Sequence, residues 1–116
     1  MHEMGIATEI VRIVTESIPA DMVDPKVARI NLNVGKLAAV VPQSLQFCFE
    51  IAAKQTPAEG AQLRIEQIAV SASCNGCRHR WEITDPVFSC PGCGSGSIEM
   101  LTGRELDIES IELVEE

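Results

Sequence analysis

Cys74-Asn75-Gly76-Cys77 … Cys90-Pro91-Gly92-Cys93 decides how this 116-residue chain is read. Twelve residues separate the inner cysteines, Cys77 and Cys90. Two residues between thiolates let one tight turn aim both sulfurs inward. Two such knuckles facing each other make the closed tetrahedral cage of a structural zinc site. Gly76, Gly92 and Gly94 stand where such turns need unusual backbone angles. Two disulfides, or four unrelated buried thiols, would also use four cysteines, and a thiol-disulfide oxidoreductase would need one pair. Both pairs together, with glycine and proline inside them, favour metal. Four thiolates leave no open coordination position, so the cage is structural rather than catalytic.

On either side of this loop the apolar spacing changes. Met4, Ala7, Val11, Val14 and Ile18 lie three and four apart, which predicts a helix over residues 4–18. Pro19 stops it. Ala28, Ile30, Leu32 and Val34 alternate with Arg29, Asn31 and Asn33 as in a half-buried strand, ended by Gly35. Pro42 suits the first turn of a second helix, with Leu45, Cys48, Phe49 and Ala52 on its apolar face and Thr56-Pro57 closing it. Leu63 and Ile65 belong to a second strand running to about Val70. Leu106 and Ile108 open a third, whose apolar parity then shifts to Ile111 and Leu113. That shift predicts a β-bulge near Glu109-Ser110. The order predicts an α+β fold: a three-stranded sheet with two helices on one face, plus an inserted zinc-ribbon-like loop. We expect residues 1–70 and 101–116 to form one domain and residues 71–100 the zinc-binding domain.

The composition narrows the function. Hydrophobic residues make up 46% of the chain but aromatics only 3%, so the core must be aliphatic. Nine basic and 17 acidic residues give a net charge of −8. That opposes binding to nucleic-acid phosphates or anionic lipid. No apolar run approaches the ~20 residues of a membrane span, and the first residues lack the basic and apolar segments of a signal peptide. We therefore expect a cytoplasmic protein, whose thiols stay reduced and whose cysteine pairs favour metal.

Nothing in the spacing supports a Ser/His/Asp arrangement or a phosphate-cradling glycine loop, so no enzyme is expected. Cys48, the cysteine left over, is expected to be buried and inert. His79 is expected to be an exposed loop residue rather than a ligand. Trp81 is expected to cover the metal site or to pack where the two units meet. Met1-His2-Glu3 reads in two ways: as an ordinary frayed terminus, or as a chelate. The Met1 amine, the backbone nitrogens of His2 and Glu3 and the His2 ring can close small chelate rings, and nitrogen ligands in a plane suit Ni(II) or Cu(II).

Together these pieces resemble the HypA/HybF family, the nickel metallochaperones of [NiFe]-hydrogenase and, in some bacteria, urease maturation. The resemblance runs over essentially the full length. It rests on Met1-His2-Glu3, Val34-Gly35-Lys36-Leu37 followed by Val41-Pro42, Cys74-x-x-Cys77, Cys90-Pro91-x-Cys93-Gly94-Ser95, and Gly103-x-Glu105-Leu106-x-Ile108. It implies nickel carried as cargo on His2, with Glu3 beside it, and structural zinc on Cys74, Cys77, Cys90 and Cys93. It also implies a HypB-type GTPase partner, a hydrogenase large subunit as client, and a monomer or weak homodimer. Some members carry an acidic residue, proposed as a nickel ligand, in the segment matching 38–41. This chain has Ala38-Ala39-Val40-Val41 there, which leaves that position to water, Glu3 or a partner's residue. Two rivals stand beside this reading. One is a small rubredoxin-like iron electron carrier, suggested by Cys-Pro-Gly-Cys-Gly. The other is a zinc-ribbon interaction module with a basic spot at Arg78-His79-Arg80.

Overall fold

The computed structural model of the chain describes residues 3–85 and 87–114. In chain order the elements are α1 (Glu3–Ser17), β1 (Val27–Gly35), a 3-10 turn (Lys36–Ala38), α2 (Pro42–Ala52), β2 (Gln62–Ile68), β3 (Val70–Cys74), β4 (Arg80–Ile83), β5 (Ile98–Thr102) and β6 (Leu106–Leu113). They form two three-stranded sheets, ordered β2-β1-β6 and β4-β3-β5. None of the described helices is long and apolar enough to cross a membrane. The chain divides into two compact units. The first takes the chain up to Asn33, Val40–Glu66 and the stretch from Asp107. The second takes Val34–Ala39 and Gln67–Leu106.

The first unit is the expected α+β body. α1 buries Ala7, Ile10, Val11 and Val14, a stripe at three- and four-residue steps. Met4, expected on that stripe, is exposed, and Ile10 takes its place. Arg12 bridges Glu9 and Glu16 on the outer, solvent-screened face. The guanidinium holds the Glu9 carboxyl below its usual range, chiefly by hydrogen bonding to it. α2 begins with Pro42 in its first turn and buries Leu45 and Phe49 in the core to which Ile30, Leu32 and Leu63 also belong. Burying each of these large side chains contributes about 2 kcal/mol. The amide of Gln46 donates to the Leu63 carbonyl at 2.6 Å, fastening α2 to β2. α2 ends at Ala52, short of Thr56-Pro57; the Ala53 N–H closes the last turn on the Phe49 carbonyl. Cys48 corrects the sequence reading: it is half-buried, at the margin of the apolar face rather than inside it.

The alternation of burial along β6 breaks at Glu109-Ser110, both exposed, where the parity shift placed a bulge. In β1 it is Val27 rather than Ala28 that is buried.

The second unit corrects a larger expectation. Residues 71–100 are not one loop; β3, β4 and β5 pair antiparallel with β3 central. Ala72 faces Trp81 on one side and Met100 on the other. β3 does alternate: Val70, Ala72 and Cys74 are buried, Ser71 and Ser73 half-buried. Its side chains are too small to give the hydrophobic signal of a strand. The Thr102 hydroxyl donates to the Ala69 carbonyl at 2.8 Å and meets the Ser71 hydroxyl at 2.6 Å, beside a register shift between Ser71 and Ala72.

Val34–Ala39 joins this unit through backbone contact. Gly35 N–H donates to the Glu105 carbonyl, and Leu37 N–H to that of Gly103, both at 2.7 Å. Gly35 has ordinary extended angles, φ −71° and ψ 146°. Its lack of a side chain answers to space alone, because a Cβ there would land on the Gly103 carbonyl. Gly103 needs both space and conformation: its φ is +121°, and a Cβ would stand 2.9 Å from Val70 Cγ2. Gly35→Ala should therefore destabilise the zinc-loaded protein by about 2–3 kcal/mol, as forced overpacking does. Gly60→Ala has open space around it, but φ is +80°, so it should cost only about 1 kcal/mol. Urea unfolding of the two variants tests the ranking, and equal midpoints would contradict the close approach.

Candidate metal centre

The two cysteine pairs fold as two copies of one knuckle. Arg78 N–H donates to the Cys74 carbonyl at 3.0 Å, and Gly94 N–H to that of Cys90 at 2.8 Å. Cys74 N–H donates to His79 and Cys90 N–H to Ser95, each carbonyl at 2.8 Å. In both knuckles the residue after the second cysteine turns left-handed: Arg78 at φ +62°, Gly94 at φ +75°. Here the sequence reading needs correcting, because Gly76 and Gly92 do not adopt positive φ. Their part is to donate. Gly76 and Cys77 N–H reach Cys74 Sγ at 3.4 Å, and Gly92 N–H reaches Cys90 Sγ at 3.3 Å. These donors stabilise sulfur as thiolate.

All four sulfurs lie within 4.8 Å of one another. Cys74 and Cys93 Sγ are 3.6 Å apart, and Cys77 and Cys90 Sγ 3.5 Å. A tetrahedron of sulfurs each about 2.3 Å from zinc has edges of about 3.8 Å, so the cage fits that ion. The same separations are far beyond the roughly 2.05 Å of a disulfide. The first cysteine of each pair is buried and the second exposed. His79 lies outside this group: its ring stacks on Trp81, centroids 5.8 Å apart and planes 9° from parallel. Trp81 is half-buried on β4 and, with Val87 and Pro91, walls a shallow groove of about 180 Å³.

Without a cation these thiols resist shared ionisation. Cys74 is pulled down to about 6, chiefly by the N–H groups of Cys77 and Gly76. Cys77 is pushed up to about 12: the His79 N–H favours its thiolate, but the Cys90 and Cys74 sulfurs and burial outweigh it. Cys90 is lowered; burial opposes ionisation, and the N–H groups of Cys93 and Gly92 overcome it. Cys93 is raised, the Cys74 and Cys90 sulfurs overriding the Ser95 N–H.

Residues 1–113 match the family described as "Hydrogenase/urease nickel incorporation, metallochaperone, hypA". The chain belongs to the HypA family. It is 56% identical to Hydrogenase maturation factor HypA of Desulfosudis oleivorans, over 99% of this chain and 100% of that one. With the protein of the same name from Chlorobium limicola it shares 44% identity over 99% of this chain and 98% of that one. The fold is similar to the solution structure of the Ni metallochaperone HypA from Helicobacter pylori, with a TM-score of 0.70, 21% identity and full coverage of both chains. A second HypA solution structure gives a TM-score of 0.73 at 21% identity, over 98% of this chain and 97% of that one. The chain is thus a member of a hydrogenase-maturation metallochaperone family, with a four-cysteine cluster suited to structural zinc.

The other candidate site is the chain start. Met1 and His2 lie outside the described residues. Glu3 is half-buried in the first turn of α1. Its Oε1 accepts from the Ser44 hydroxyl of α2 at 3.4 Å. Nothing in the sequence pattern singled out Ser44, because a serine early in a helix is an ordinary find.

Loading the cage requires deprotonated sulfurs. At pH 7 Cys77 and Cys93 are protonated in the metal-free chain and Cys74 is not. Zinc must then expel at least two protons, so its affinity should rise at least about a hundredfold per pH unit from pH 7 to 8. It should fall more steeply below pH 6, where Cys74 takes up one more. Competition with a chromophoric chelator at each pH measures the slope, and a flat profile would mean the four sulfurs are not the ligands.

Proposed function

We propose that the chain carries Ni(II) reversibly on its N-terminal residues and delivers it for maturation of [NiFe]-hydrogenase. His2 is the principal ligand, Glu3 lies beside it, and the Met1 amine and backbone nitrogens complete the chelate. Cys74, Cys77, Cys90 and Cys93 hold the structural zinc. The observation that carries this reading is the family match over residues 1–113 in a sequence that opens Met1-His2-Glu3. The nickel part belongs to residues 1–70 and 101–116, the zinc part to 71–100. We place the work in the cytoplasm, with a HypB-type GTPase and the hydrogenase large subunit as partners. Urease is a second client class, and the chain itself is a monomer or weak homodimer with no catalytic role.

Ligand chemistry favours this division of labour. A closed tetrahedron of thiolates exchanges nothing without breaking the fold around it. Imidazole, amine and amide nitrogens at an open end suit Ni(II) and can be replaced one at a time by an acceptor. Transfer then needs no covalent intermediate.

His2→Ala should abolish specific nickel binding by untagged protein while zinc content stays unchanged. Extending the N-terminus should weaken nickel too, since the amine becomes an amide. Nickel affinity should fall below about pH 6.5, where an ordinary imidazole gains its proton. Calorimetric titration decides: a His2→Ala chain that binds nickel like the wild type removes the terminal site. Metal analysis of the purified chain tests the cage separately, since a red protein containing iron would favour the electron carrier.

A further inference from the structure

Ser44, Phe47 and Ile51 follow one another along α2 at three- and four-residue steps, so they share one side of the helix. Another side, with Leu45 and Phe49, enters the core. Phe47 is 64% exposed and Ile51 43%. The chain has only three phenylalanines and one tryptophan, yet this ring faces water where a polar helix former would serve α2 equally well. Single exposed apolar residues mean little. This pair differs because its stripe begins at Ser44, the residue whose hydroxyl donates to Glu3. The apolar side of α2 therefore runs up to the carboxylate that adjoins His2 in the sequence.

Charge indicates what covers it. The second unit balances Lys36, Arg78, Arg80 and Arg104 against Glu82, Asp85, Glu99 and Glu105. The whole net charge of −8 consequently falls on the first unit, which carries α2 and Glu3. A second copy would bring an equally acidic unit, which charge disfavours at this face, whereas a cationic surface would be drawn in.

Building on the nickel terminus proposed above, we propose that the Phe47–Ile51 side of α2 is where the nickel-receiving partner docks. The partner presents an amphipathic helix with an apolar stripe and a basic rim. Phe47 is the anchor, filling the partner's apolar stripe as interface aromatics do. A partner seated there has its own ligands beside Glu3, so nickel passes by stepwise ligand exchange at short range.

The probe is a fluorescent synthetic peptide of about 14 residues, about four helical turns, with leucines at helical spacing and lysines elsewhere. It is titrated into the untagged, zinc-loaded full chain beside its scrambled isomer. The helical peptide should bind and the scrambled one should not. Phe47→Ser/Ile51→Ser should weaken binding about tenfold or more, while Phe47→Leu should stay within about threefold of wild type. Val23→Ser removes an even more exposed apolar residue, 85% accessible, from another part of the same unit, and should change nothing. Equal binding of the scrambled peptide, or an equal loss in Val23→Ser, would overturn the docking face. So would sedimentation that finds a wild-type dimer broken by the double substitution, since the face would then belong to a second copy. Nickel titration keeps the two readings apart. The double variant should bind nickel as the wild type does, and a wild type that binds the peptide at this face but no nickel would overturn the nickel terminus alone. With a histidine added to the peptide, nickel should leave the loaded wild type about tenfold faster than the double variant. Equal rates would overturn the role of docking in transfer.

Discussion

Four sulfurs held within 4.8 Å of one another are a repulsive arrangement until a cation joins them. In the metal-free site the His79 N–H favours the Cys77 thiolate, yet the neighbouring sulfurs and burial push that thiol up to about 12. A divalent ion reverses the effect of the sulfurs: each thiolate then stabilises the others through the shared metal. The second unit depends on this reversal, because little else is available to hold it. Among its described residues the buried apolar side chains are Val34, Val70 and Ala72, together with Cys74 and Cys90 themselves. Such a core cannot offset the conformational entropy of ordering three strands and two knuckles. Metal-binding free energy is in that sense folding free energy for this unit. Cys74 makes the link direct, being both a ligand candidate and the last residue of the central strand β3.

The first unit is built on the opposite terms. Phe49, Ile30, Leu32, Leu45 and Val14 give it an ordinary, mainly aliphatic core, and among its described residues no charged group is buried. Its surface carries all of the net negative charge, which the second unit's balanced composition does nothing to reduce. Chain-wide acidity argued against nucleic acid at the level of sequence. Once the charge is divided by unit, that argument strengthens for the α+β body and weakens for the knuckles, where Arg78 and Arg80 stand exposed. The two arginines also adjoin a cage whose four thiolates and one divalent cation leave two negative charges, and they supply nearby positive counter-charge.

How much was legible in the sequence depended on how local the cause is. The cysteine cage was, because knuckle geometry follows from spacing alone. Both helices and the parity change at Glu109-Ser110 were too, because periodicity is a local property of the chain. β3, β4 and β5 were hidden. β3 alternates Val70, Ala72 and Cys74 with serines, and the eye assigns Cys74 to a metal loop before counting it as a buried strand residue. Gly35 and Gly103 could each be read as punctuation, whereas their meeting joins segments nearly seventy residues apart. The Ser44–Glu3 contact lay beyond sequence reading for the same reason: two helices separated by a strand bring it about. Cys48 was misjudged because a helical wheel gives a direction and not a depth.

A carrier of metal faces a constraint that a metalloenzyme does not. Its site must hold the ion against water, yet release it to an acceptor whose affinity is higher. Closed and open sites answer these demands differently, and one chain can contain both only if they use different donors. Thiolate cages bind zinc tightly and turn over slowly, which suits a part whose job is shape. Under the proposed reading the cargo site takes the other course, with nitrogen donors at a chain end and one half-buried carboxylate beside them. Ser44 holds that carboxylate by a single long hydrogen bond of 3.4 Å. A contact of that length orients Glu3 without committing it, at a cost to break of well under the ~1 kcal/mol of a normal hydrogen bond. Under that reading Glu3 is freer to turn toward the cargo, or away from it, than any cysteine of the cage is to move. The absence of a carboxylate from Ala38-Ala39-Val40-Val41 points the same way. Under the proposed reading, no side-chain ligand from that segment has to detach before an acceptor takes the ion.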